Sequence, residues 1–215
     1  MKSLLITIST LLLTLLCTIS AYAFPPLCGD RESPLIIDLG QDGLHLGSSR
    51  HIVSFDILGS GEPVELQWVK AGENDAFLAI DLDEDGVVTD GRELFGNGTR
   101  MKLEDDALAS NGFIALEQYD KPLLGGNDDG YISEQDEIWP SLSLWTDVNA
   151  DGISTPDEMQ SVADHGLTHL STMAKVNNRY DRNGNRIPFW SWVINDNATD
   201  NKKYKMFDVF FRLAD

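Results

Sequence analysis

Three aspartates alternate along one short segment in a pattern that suits a divalent cation. A glycine follows at the sixth position, and a glutamate stands further on. Calcium takes six to eight oxygen ligands, which a short loop supplies from alternate side chains, one backbone carbonyl and a later carboxylate. We expect a calcium site here rather than a solvated acidic turn. Its predicted ligands are Asp81, Asp83, Asp85, the Val87 carbonyl and Glu93, with Asp90 competing for the closing role.

A second segment matches the ligand spacing of an EF-hand loop, D-x-[DN]-x-[DN]-G-x₅-E. Its closing carboxylate, Glu158, also belongs to a predicted capping box that begins at Thr155, so an ion and a helix would compete for it. Position eight is Ser154, where an EF-hand usually has an apolar residue. The predicted ligands are Asp147, Asn149, Asp151, the Ile153 carbonyl and Glu158.

A third segment is less regular. Its middle resembles such a loop, but the first position falls on Gly125, which has no side-chain oxygen. Asp120 can take that position if residues 121–126 loop out. The predicted ligands of this third calcium site are Asp120, Asn127, Asp129, the Tyr131 carbonyl and Asp136.

Other segments repeat only part of the pattern. Asp38 and Asp42 keep the first and fifth positions without a ligand at the third, and we expect them to contribute to a shared site. The segment that begins at Asp56 keeps little of the pattern and is interpreted as a turn. The alternating polar residues from Asp181 to Asn185 are explained better by a hairpin turn.

The chain is strongly acidic, with a formal net charge of −19 over 215 residues. Such a charge disfavours binding to nucleic acid and to anionic membranes. Aliphatic and aromatic residues are too plentiful for a disordered acidic tail. The carboxylates must therefore be solvated or neutralised by cations, and calcium is the expected cofactor.

The first 23 residues have the features of a secretory signal peptide. Lys2 supplies a positive charge, Leu4–Leu16 is an apolar run, and Ala21 and Ala23 are small residues suited to a cleavage site. The run is short for a membrane-spanning helix, and no later stretch is apolar enough to span. We predict a signal peptide over 1–23, a flexible leader over 24–33, one domain over 34–215, and a secreted protein, periplasmic or extracellular.

Segments typical of β-strands alternate with loops rich in Gly, Asp and Asn. Strands are predicted at 35–38, 52–57, 64–69, 77–80, 142–146, 167–172, 187–195 and 204–213. Short helices are predicted at 112–119, capped by Asn111, at 134–139, and from Thr155 to Gly166. Long helices and βαβ repeats are absent from the pattern. It predicts an α+β fold with a mainly antiparallel sheet, short helices and EF-hand-like calcium loops.

Residues 34–215 resemble the calcium-binding modules of bacterial RTX-type exoproteins, including FrpC-like self-processing modules. The segments that carry the resemblance are PLIIDLGQDG at 34–43, FLAID at 77–81, DGRELFGN at 90–97, GF at 112–113, YD at 119–120, LWTD at 144–147 continuing to Glu158, and YDRNGN at 180–185. The resemblance implies a domain that calcium folds and stabilises.

The resemblance also implies a cleavage reaction that this chain lacks the residues to perform. In self-processing members, an aspartate before proline attacks its own carbonyl and forms an anhydride. Here the junction is Ser33-Pro34, and no Asp-Pro pair occurs in the sequence. A serine hydroxyl cannot form that cyclic anhydride. We therefore expect no self-cleavage and no enzyme activity.

Two other classes of function have weaker support. A hydrolase could use paired carboxylates, but 35 acidic residues guarantee a pair by chance. His165 and His169 have a zinc-like spacing, yet Gly166 between them is expected to end the helix. A sugar- or peptide-binding surface could use tryptophans, but Trp190 and Trp192 at strand spacing are expected in the core.

The sequence thus predicts a secreted calcium-binding protein with two to three sites that stabilise the fold. We expect it to act as an interaction or structural module, with a cell-surface or extracellular partner. A calcium-dependent self-processing module or a secreted hydrolase is the alternative. No nucleic acid partner and no membrane span beyond the signal peptide are expected.

Overall fold

A computed structural model describes residues 33–196 and 202–214. The predicted signal peptide, and the predicted leader apart from Ser33, lie outside the described residues. The strands within the described residues are β1 (Leu35–Asp38), β2 (Ile52–Phe55), β3 (Val64–Gln67), β4 (Asp75–Ile80), β5 (Tyr131–Ser133), β6 (Leu142–Trp145), β7 (Met159–Ser161), β8 (His169–Ser171), β9 (Lys175–Tyr180), β10 (Arg186–Asn195) and β11 (Lys202–Phe210). The helix α1 spans Gly112–Glu117, and 3₁₀ turns span Gly91–Glu93, Gln118–Asp120, Pro122–Leu124, Trp139–Ser141 and Pro156–Glu158.

Nine of these strands form one sheet in the order β5-β8-β10-β11-β1-β4-β6-β7, with β9 also paired to β10. Every pair in it is antiparallel. Strands β2 and β3 form a separate antiparallel hairpin. The sheet brings the first and last described strands together at its centre, because β1 lies between β11 and β4.

The central strands are buried on both faces. In β1, Leu35 and Ile37 point into one hydrophobic core, and Ile36 points into the other. This explains why the three residues before Asp38 in β1 are all apolar, since a strand covered on both faces has no solvent-exposed side for polar residues. The first core packs against α1. The second core lies under the β2–β3 hairpin, where the Trp68 ring centroid is 4.7 Å from that of Phe77.

The predicted strands are largely confirmed. All eight overlap an observed strand, and those at 35–38, 77–80 and 187–195 lie entirely within one. The alternation predicted for the last one is seen in β11, where Phe207 and Val209 enter one core and Met206 the other. The helix predicted after Asn111 is also confirmed, as α1. The Asn111 Oδ1 accepts the backbone N–H groups of Phe113 at 2.9 Å and Ile114 at 3.1 Å.

The predicted α+β class is wrong, because the fold is mainly β. The expected helix at 134–139 is absent from the described residues apart from the short turn at Trp139–Ser141. The expected helix from Thr155 stops after the 3₁₀ turn at Pro156–Glu158, although its capping box forms. The chain then continues as β7, which pairs with the edge of β6. Pairing with an existing sheet edge adds backbone hydrogen bonds, whereas a short helix must first meet the cost of nucleation.

The expected EF-hand-like architecture is corrected as well. An EF-hand places its loop between two helices. The segment at 147–158 instead follows strand β6 and leads into β7, and the segment at 81–93 follows β4. The loops resemble an EF-hand in ligand spacing alone, and strands hold them in place.

Candidate metal-binding site

Five segments of the described chain share one loop conformation. Each begins with an aspartate whose two carboxylate oxygens accept the backbone N–H groups of the fifth and sixth positions. The fourth position has φ between 55° and 62°, and the sixth is a glycine with φ between 73° and 100°. We call these segments the aspartate loops, which begin at Asp38, Asp56, Asp81, Asp120 and Asp147.

The hydrogen bonds of the first aspartate fix its carboxylate before any ligand binds. From Asp81, the oxygens lie 3.2 Å from the Asp85 nitrogen and 2.9 Å from the Gly86 nitrogen. From Asp147, the corresponding distances are 3.3 Å to Asp151 and 2.9 Å to Gly152. Such local side-chain to backbone bonds are what make aspartate a turn former, and glycine meets the positive φ at position six without strain.

The loop at Asp81 holds the densest group of carboxylates. Oxygen atoms of Asp81, Asp83 and Asp85 all lie within 4.8 Å of one another. Asp83 and Asp85 are exposed, and the Asp85 Oδ1 accepts the backbone N–H of Val87 at 2.9 Å. Three hard oxygen donors this close together form a donor set that matches the preference of calcium.

Glu93 closes this loop from the far side. Its carboxylate is buried and accepts the backbone N–H groups of Leu82 at 3.0 Å and Thr89 at 2.7 Å. Burial raises the pKa of Glu93; the two N–H groups oppose that shift, and the negative charges of Asp83 and Asp85 add to it. The structure therefore places Glu93 against both ends of the loop.

Asp90, the competing candidate, has a different partner. Its Oδ2 lies 2.6 Å from the Arg92 Nη2, and its Oδ1 lies 2.9 Å from both the Nε and the backbone nitrogen of Arg92. These bonds hold the pKa of Asp90 below its usual value. Asp90 thus caps the 3₁₀ turn Gly91–Glu93 and binds an arginine.

The loop at Asp147 is anchored to the second hydrophobic core. Asp147 is buried, and its Oδ2 accepts the indole N–H of Trp68 at 2.6 Å. Burial raises the pKa of Asp147, while the N–H groups of Gly152 and Trp68 oppose the shift. The Asn149 amide donates to the Asp151 carboxylate at 2.8 Å.

Glu158 closes the Asp147 loop much as Glu93 closes the Asp81 loop. Its Oε1 accepts the N–H of Val148 at 3.2 Å, and its Oε2 accepts the N–H of Thr155 at 3.2 Å and the Thr155 hydroxyl at 3.1 Å. The capping box and the loop closure therefore use the same carboxylate. The backbone N–H of Ile153, the predicted carbonyl ligand, donates to Asp151 at 2.8 Å.

In the loop at Asp120, an insertion separates the first ligand position from the others. The insertion includes the 3₁₀ turn Pro122–Leu124. The Asp120 oxygens accept the N–H groups of Asp129 at 3.1 Å and Gly130 at 2.9 Å. Residues 121–126 loop out between, and Gly126 lies so close to Asp120 that a Cβ there would be 2.1 Å from its carbonyl carbon. Asp120 therefore takes the first position of the loop, which regular spacing along the chain would assign to Gly125.

Asp136 closes this third loop. Its oxygens accept the N–H groups of Asn127 at 3.2 Å and Ser133 at 2.7 Å, and burial raises its pKa. The N–H of Tyr131 donates to the Asp129 carboxylate at 2.9 Å. The predicted ligand sets at 81–93, 120–136 and 147–158 are therefore each brought together around one loop, apart from Asp90.

The donor sets of these three loops fit a hard cation such as calcium. They consist of carboxylate, amide and carbonyl oxygens, which are the ligands calcium prefers. Burial and neighbouring carboxylates raise the pKa values of Glu93, Asp136 and Asp147, so each ionised group carries an unfavourable charge. A bound divalent cation would relieve that repulsion.

The loop at Asp56 is the one whose conformation the sequence reasoning missed. The sequence predicted only a turn here, but the segment has the same backbone conformation as the other four loops. Gly59 and Gly61 stand at its fourth and sixth positions. An aspartate five residues before a glycine would have identified it. The segment at Asp181 does form the predicted hairpin turn, joining β9 to β10.

The expectation that Trp190 and Trp192 lie in the core is only partly met. Both are partly exposed on β10, whereas Trp68, Trp139 and Trp145 are buried. Phe55 of β2 and Trp68, which follows β3, pack against Trp145 of β6 and Phe77 of β4, and Trp190 packs against this second core while remaining partly exposed.

Lysines cover the two partly exposed tryptophans. The Lys175 Nζ lies 5.0 Å from the Trp190 ring centroid and 6.0 Å from that of Trp192, and the Lys205 Nζ lies 5.9 Å from that of Trp190. We call these four residues the basic aromatic face.

The Ser33-Pro34 junction is buried at the start of the described chain. Ser33 is 1% exposed, and its backbone N–H donates to the Asn97 Oδ1 at 2.8 Å. Nearby Asp208 is fully buried, with its Oδ1 accepting the Gly112 N–H at 3.2 Å. Burial raises the pKa of Asp208 to about 7, and the hydrogen bond from the Gly112 N–H opposes the shift.

Comparison with known proteins identifies relatives of this chain. The SPM domain family matches residues 35–212. The chain is also similar to the iron-regulated protein FrpA of Neisseria meningitidis serogroup C, with 33% identity over 156 residues. That alignment covers 72% of this chain and 13% of FrpA, so the chain spans a small part of that relative's length. The expected relation to Frp-type proteins is confirmed. In the described part of the chain, no helix has the length and apolar character needed to cross a membrane.

Proposed function

The chain belongs to the SPM domain family, and from this premise we propose that it is a secreted module whose fold is stabilised by calcium. The observation that carries the proposal is the threefold repetition of an aspartate loop closed by its own carboxylate. Glu93, Asp136 and Glu158 each accept backbone N–H groups from two ends of a loop. A solvated acidic turn has no reason to repeat that closure.

Calcium acts here by neutralising charge that folding concentrates. In each loop at least one first or closing carboxylate is buried and lies beside exposed ones, so the ion-free fold carries their mutual repulsion. A ligand present at about 100 times its dissociation constant stabilises the folded state by roughly 2.7 kcal/mol per site. Two or three such sites are comparable with the total stability of a typical domain, about 5–15 kcal/mol.

Secretion is part of the proposal because it supplies the ion. The signal peptide expected at residues 1–23 would carry the chain to a compartment where calcium reaches about millimolar levels, enough to fill sites with dissociation constants of about 10⁻⁴ M. Before export, low calcium would leave the loops unfilled.

The direct test is calorimetric titration of calcium into chelator-stripped protein that begins at Phe24, with magnesium as the control. We expect two or three calcium-selective sites, with one lost in Asp81→Ala and one in Asp147→Ala. Absence of binding up to several millimolar calcium would refute the proposal and would mean that the loops are acidic turns without a bound ion.

We also propose that the module does not cut itself. Ser33 precedes Pro34, so the anhydride chemistry of an aspartate is unavailable at this junction. Incubation of the full chain with calcium should leave a single intact mass. A calcium-dependent fragment beginning at Pro34 would contradict this part of the proposal.

A partner-binding role is favoured by the basic aromatic face. Eight of the sixteen Lys and Arg residues lie between Lys175 and Arg212, a segment with only four of the 35 acidic residues. In such an acidic protein, a local positive field beside partly exposed indole rings suits an anionic polysaccharide, which offers charged groups to lysines and sugar faces to tryptophans.

This binding role has its own test. Binding of heparin, used as a probe polyanion, is expected to weaken at least tenfold in Lys175→Gln/Lys205→Gln and to fall with salt. Lys102→Gln is the matched control, because Lys102 lies 5.0 Å from the Tyr119 ring in another region. Equal binding by both variants, or no binding by the wild type, would contradict the assignment.

A further inference from the structure

The aspartate loop at Asp38 has no closing carboxylate in its own segment. Its first and fifth positions are Asp38 and Asp42, and its third position is Gly40, which has no side chain. The Asp38 oxygens nevertheless accept the N–H groups of Asp42 at 3.2 Å and Gly43 at 3.0 Å, as in the other loops. The loop is therefore formed but has two of its ligand positions missing.

A neighbouring strand supplies a carboxylate at the closing position. Asp75, the first residue of β4, pairs directly with Asp38 across the sheet. Its Oδ2 accepts the backbone N–H of His45 at 2.6 Å. His45 is the eighth residue of the loop, and in the Asp81 loop the ninth residue donates to Glu93 in the same way.

Asp75 carries a buried oxygen that the protein leaves unpaired. The residue is 2% exposed, and its Oδ1 has no hydrogen-bond partner among the described residues. A buried polar atom without a partner is costly and calls for an explanation. In the other loops, the closing carboxylate uses its second oxygen to accept an N–H from the start of the loop.

The residue before Asp75 fills the empty third position. A Cβ placed on Gly40 would lie 2.6 Å from the amide oxygen and nitrogen of Asn74, and 2.7 Å from the Asp42 Oδ1. The Asn74 amide therefore occupies the space where the side chain of a third-position ligand begins. Asn149 and Asn127 are the residues at this position in two of the other loops.

The negative charge around this loop exceeds the positive charge available beside it. The His45 Nδ1 lies 3.9 Å from Asp42, 3.6 Å from Glu73 and 3.7 Å from Asp75. Glu73 is already paired with Lys70. A single imidazole provides at most one charge, and burial, reinforced by Asp38 and Asp42, raises the pKa of Asp75 to about 6.

We propose that Asp38, Asp42, Asn74 and Asp75 form an additional calcium site, assembled across the sheet from two segments of the chain. The first segment provides the first and fifth positions, and the second provides the third and closing positions. The carbonyl of Leu44 stands at the seventh position, where the other loops offer theirs. The inference rests on the proposed calcium binding and assigns it to residues outside the three closed loops.

The experiment is equilibrium dialysis of calcium against the wild type and four variants of the chain that begins at Phe24. Asp75→Asn keeps the shape of the side chain and removes its charge, and it should lower the number of bound ions by one. Asp42→Asn alters a side chain that is 61% exposed, so it should fold normally and weaken the same site at least tenfold. Asp164→Asn, on an exposed turn outside the loops, is the control and should bind as the wild type does.

The outcomes separate this inference from the function on which it rests. A wild type that binds calcium, with unchanged stoichiometry and affinity in both Asp75→Asn and Asp42→Asn, overturns the additional site alone. A wild type that binds none overturns both. Loss of one ion in Asp75→Asn and of a different one in Asp81→Asn supports the assignment, and amide NMR shifts of Gly43 and His45 on calcium addition locate it.

Discussion

The loops at Asp56 and Asp81 have the same backbone but different surroundings. In both, the first aspartate accepts two N–H groups, and the fourth and sixth positions have positive φ. The Asp81 loop adds carboxylates at its third and fifth positions, where the Asp56 loop has Leu58 and Ser60. The shared conformation therefore does not depend on an ion, and the side chains alone distinguish a candidate site from a turn.

An arginine lies where the Asp56 loop lacks carboxylates. A Cβ on Gly59 would lie 2.2 Å from the Arg92 Cγ and 2.9 Å from the Asp90 Oδ1. The hydrogen bonds to Asp90 and its negative charge raise the pKa of Arg92, and the charges of Glu93 and Asp56 add to this shift. This loop carries its own positive charge, so the protein contains an internal control for the loops that would need a cation from solution.

Removal of calcium should have the largest effect. Because three closed loops lose an ion each, at roughly 2.7 kcal/mol per site, the melting temperature should fall by more than about 10 °C. Thermal denaturation followed by circular dichroism, with and without chelator, measures this. Equal melting temperatures would show that the loops at Asp81 and Asp56 are alike after all.

Asp81→Asn and Asp56→Asn should separate the two loops directly. The first removes the charge of one of the three clustered carboxylates, so calcium should bind that site at least tenfold more weakly by calorimetry. The second alters a loop that has Arg92 beside it and should leave every calcium affinity within about twofold. A calcium affinity lost in Asp56→Asn would break the comparison.

Glu93→Gln and Asp90→Asn should divide the roles of two neighbouring acids. Glu93 bonds both ends of the Asp81 loop, so its neutral form should weaken that site about tenfold or more. Asp90 binds Arg92, so its loss should lower stability modestly, by about 1 kcal/mol, and leave calcium binding unchanged. Calorimetry measures the calcium affinity of the two variants, and urea denaturation measures their stability. Weaker calcium binding in Asp90→Asn than in Glu93→Gln would assign the closing role to Asp90.

Asp208→Asn should have the smallest effect on calcium binding and should act instead on the dependence of stability on pH. Asp208 is buried away from the loops, and its pKa is raised to about 7 from the ordinary value of 3.8. The folded state therefore keeps its proton longer than the unfolded state, and stability falls as pH rises from about 4 to 7. In saturating calcium, the variant should lose that part of the decline and gain relative stability above pH 7. Parallel pH profiles of the two proteins would contradict it.

Local features of the fold were predictable because the bonds that form them are local. The loop at Asp147 needs an aspartate, a glycine five residues on and a glutamate eleven residues on, all within one segment. The helix at Gly112–Glu117 needs the Asn111 cap and the apolar residues that follow. Each of these was visible as spacing along the chain.

The errors arose where a distant segment competed with a local preference. The capping box at Thr155 forms as predicted, but the edge of β6 draws the next residues into β7 rather than into a helix. Trp190 has the spacing of a core residue, yet it remains partly exposed among the described residues. Neither outcome is encoded in the neighbouring sequence.

The sequence by itself determined the acidic character, the aspartate loops and most strands, since side-chain to backbone bonds within about twelve residues and alternating apolar positions specify them. Only the tertiary structure decided which distant groups meet. Sheet pairing places Asp75 beside Asp38, and core packing brings Trp68 to Asp147. These contacts join residues 37 and 79 positions apart along the chain, so they depend on how the strands assemble and not on local spacing.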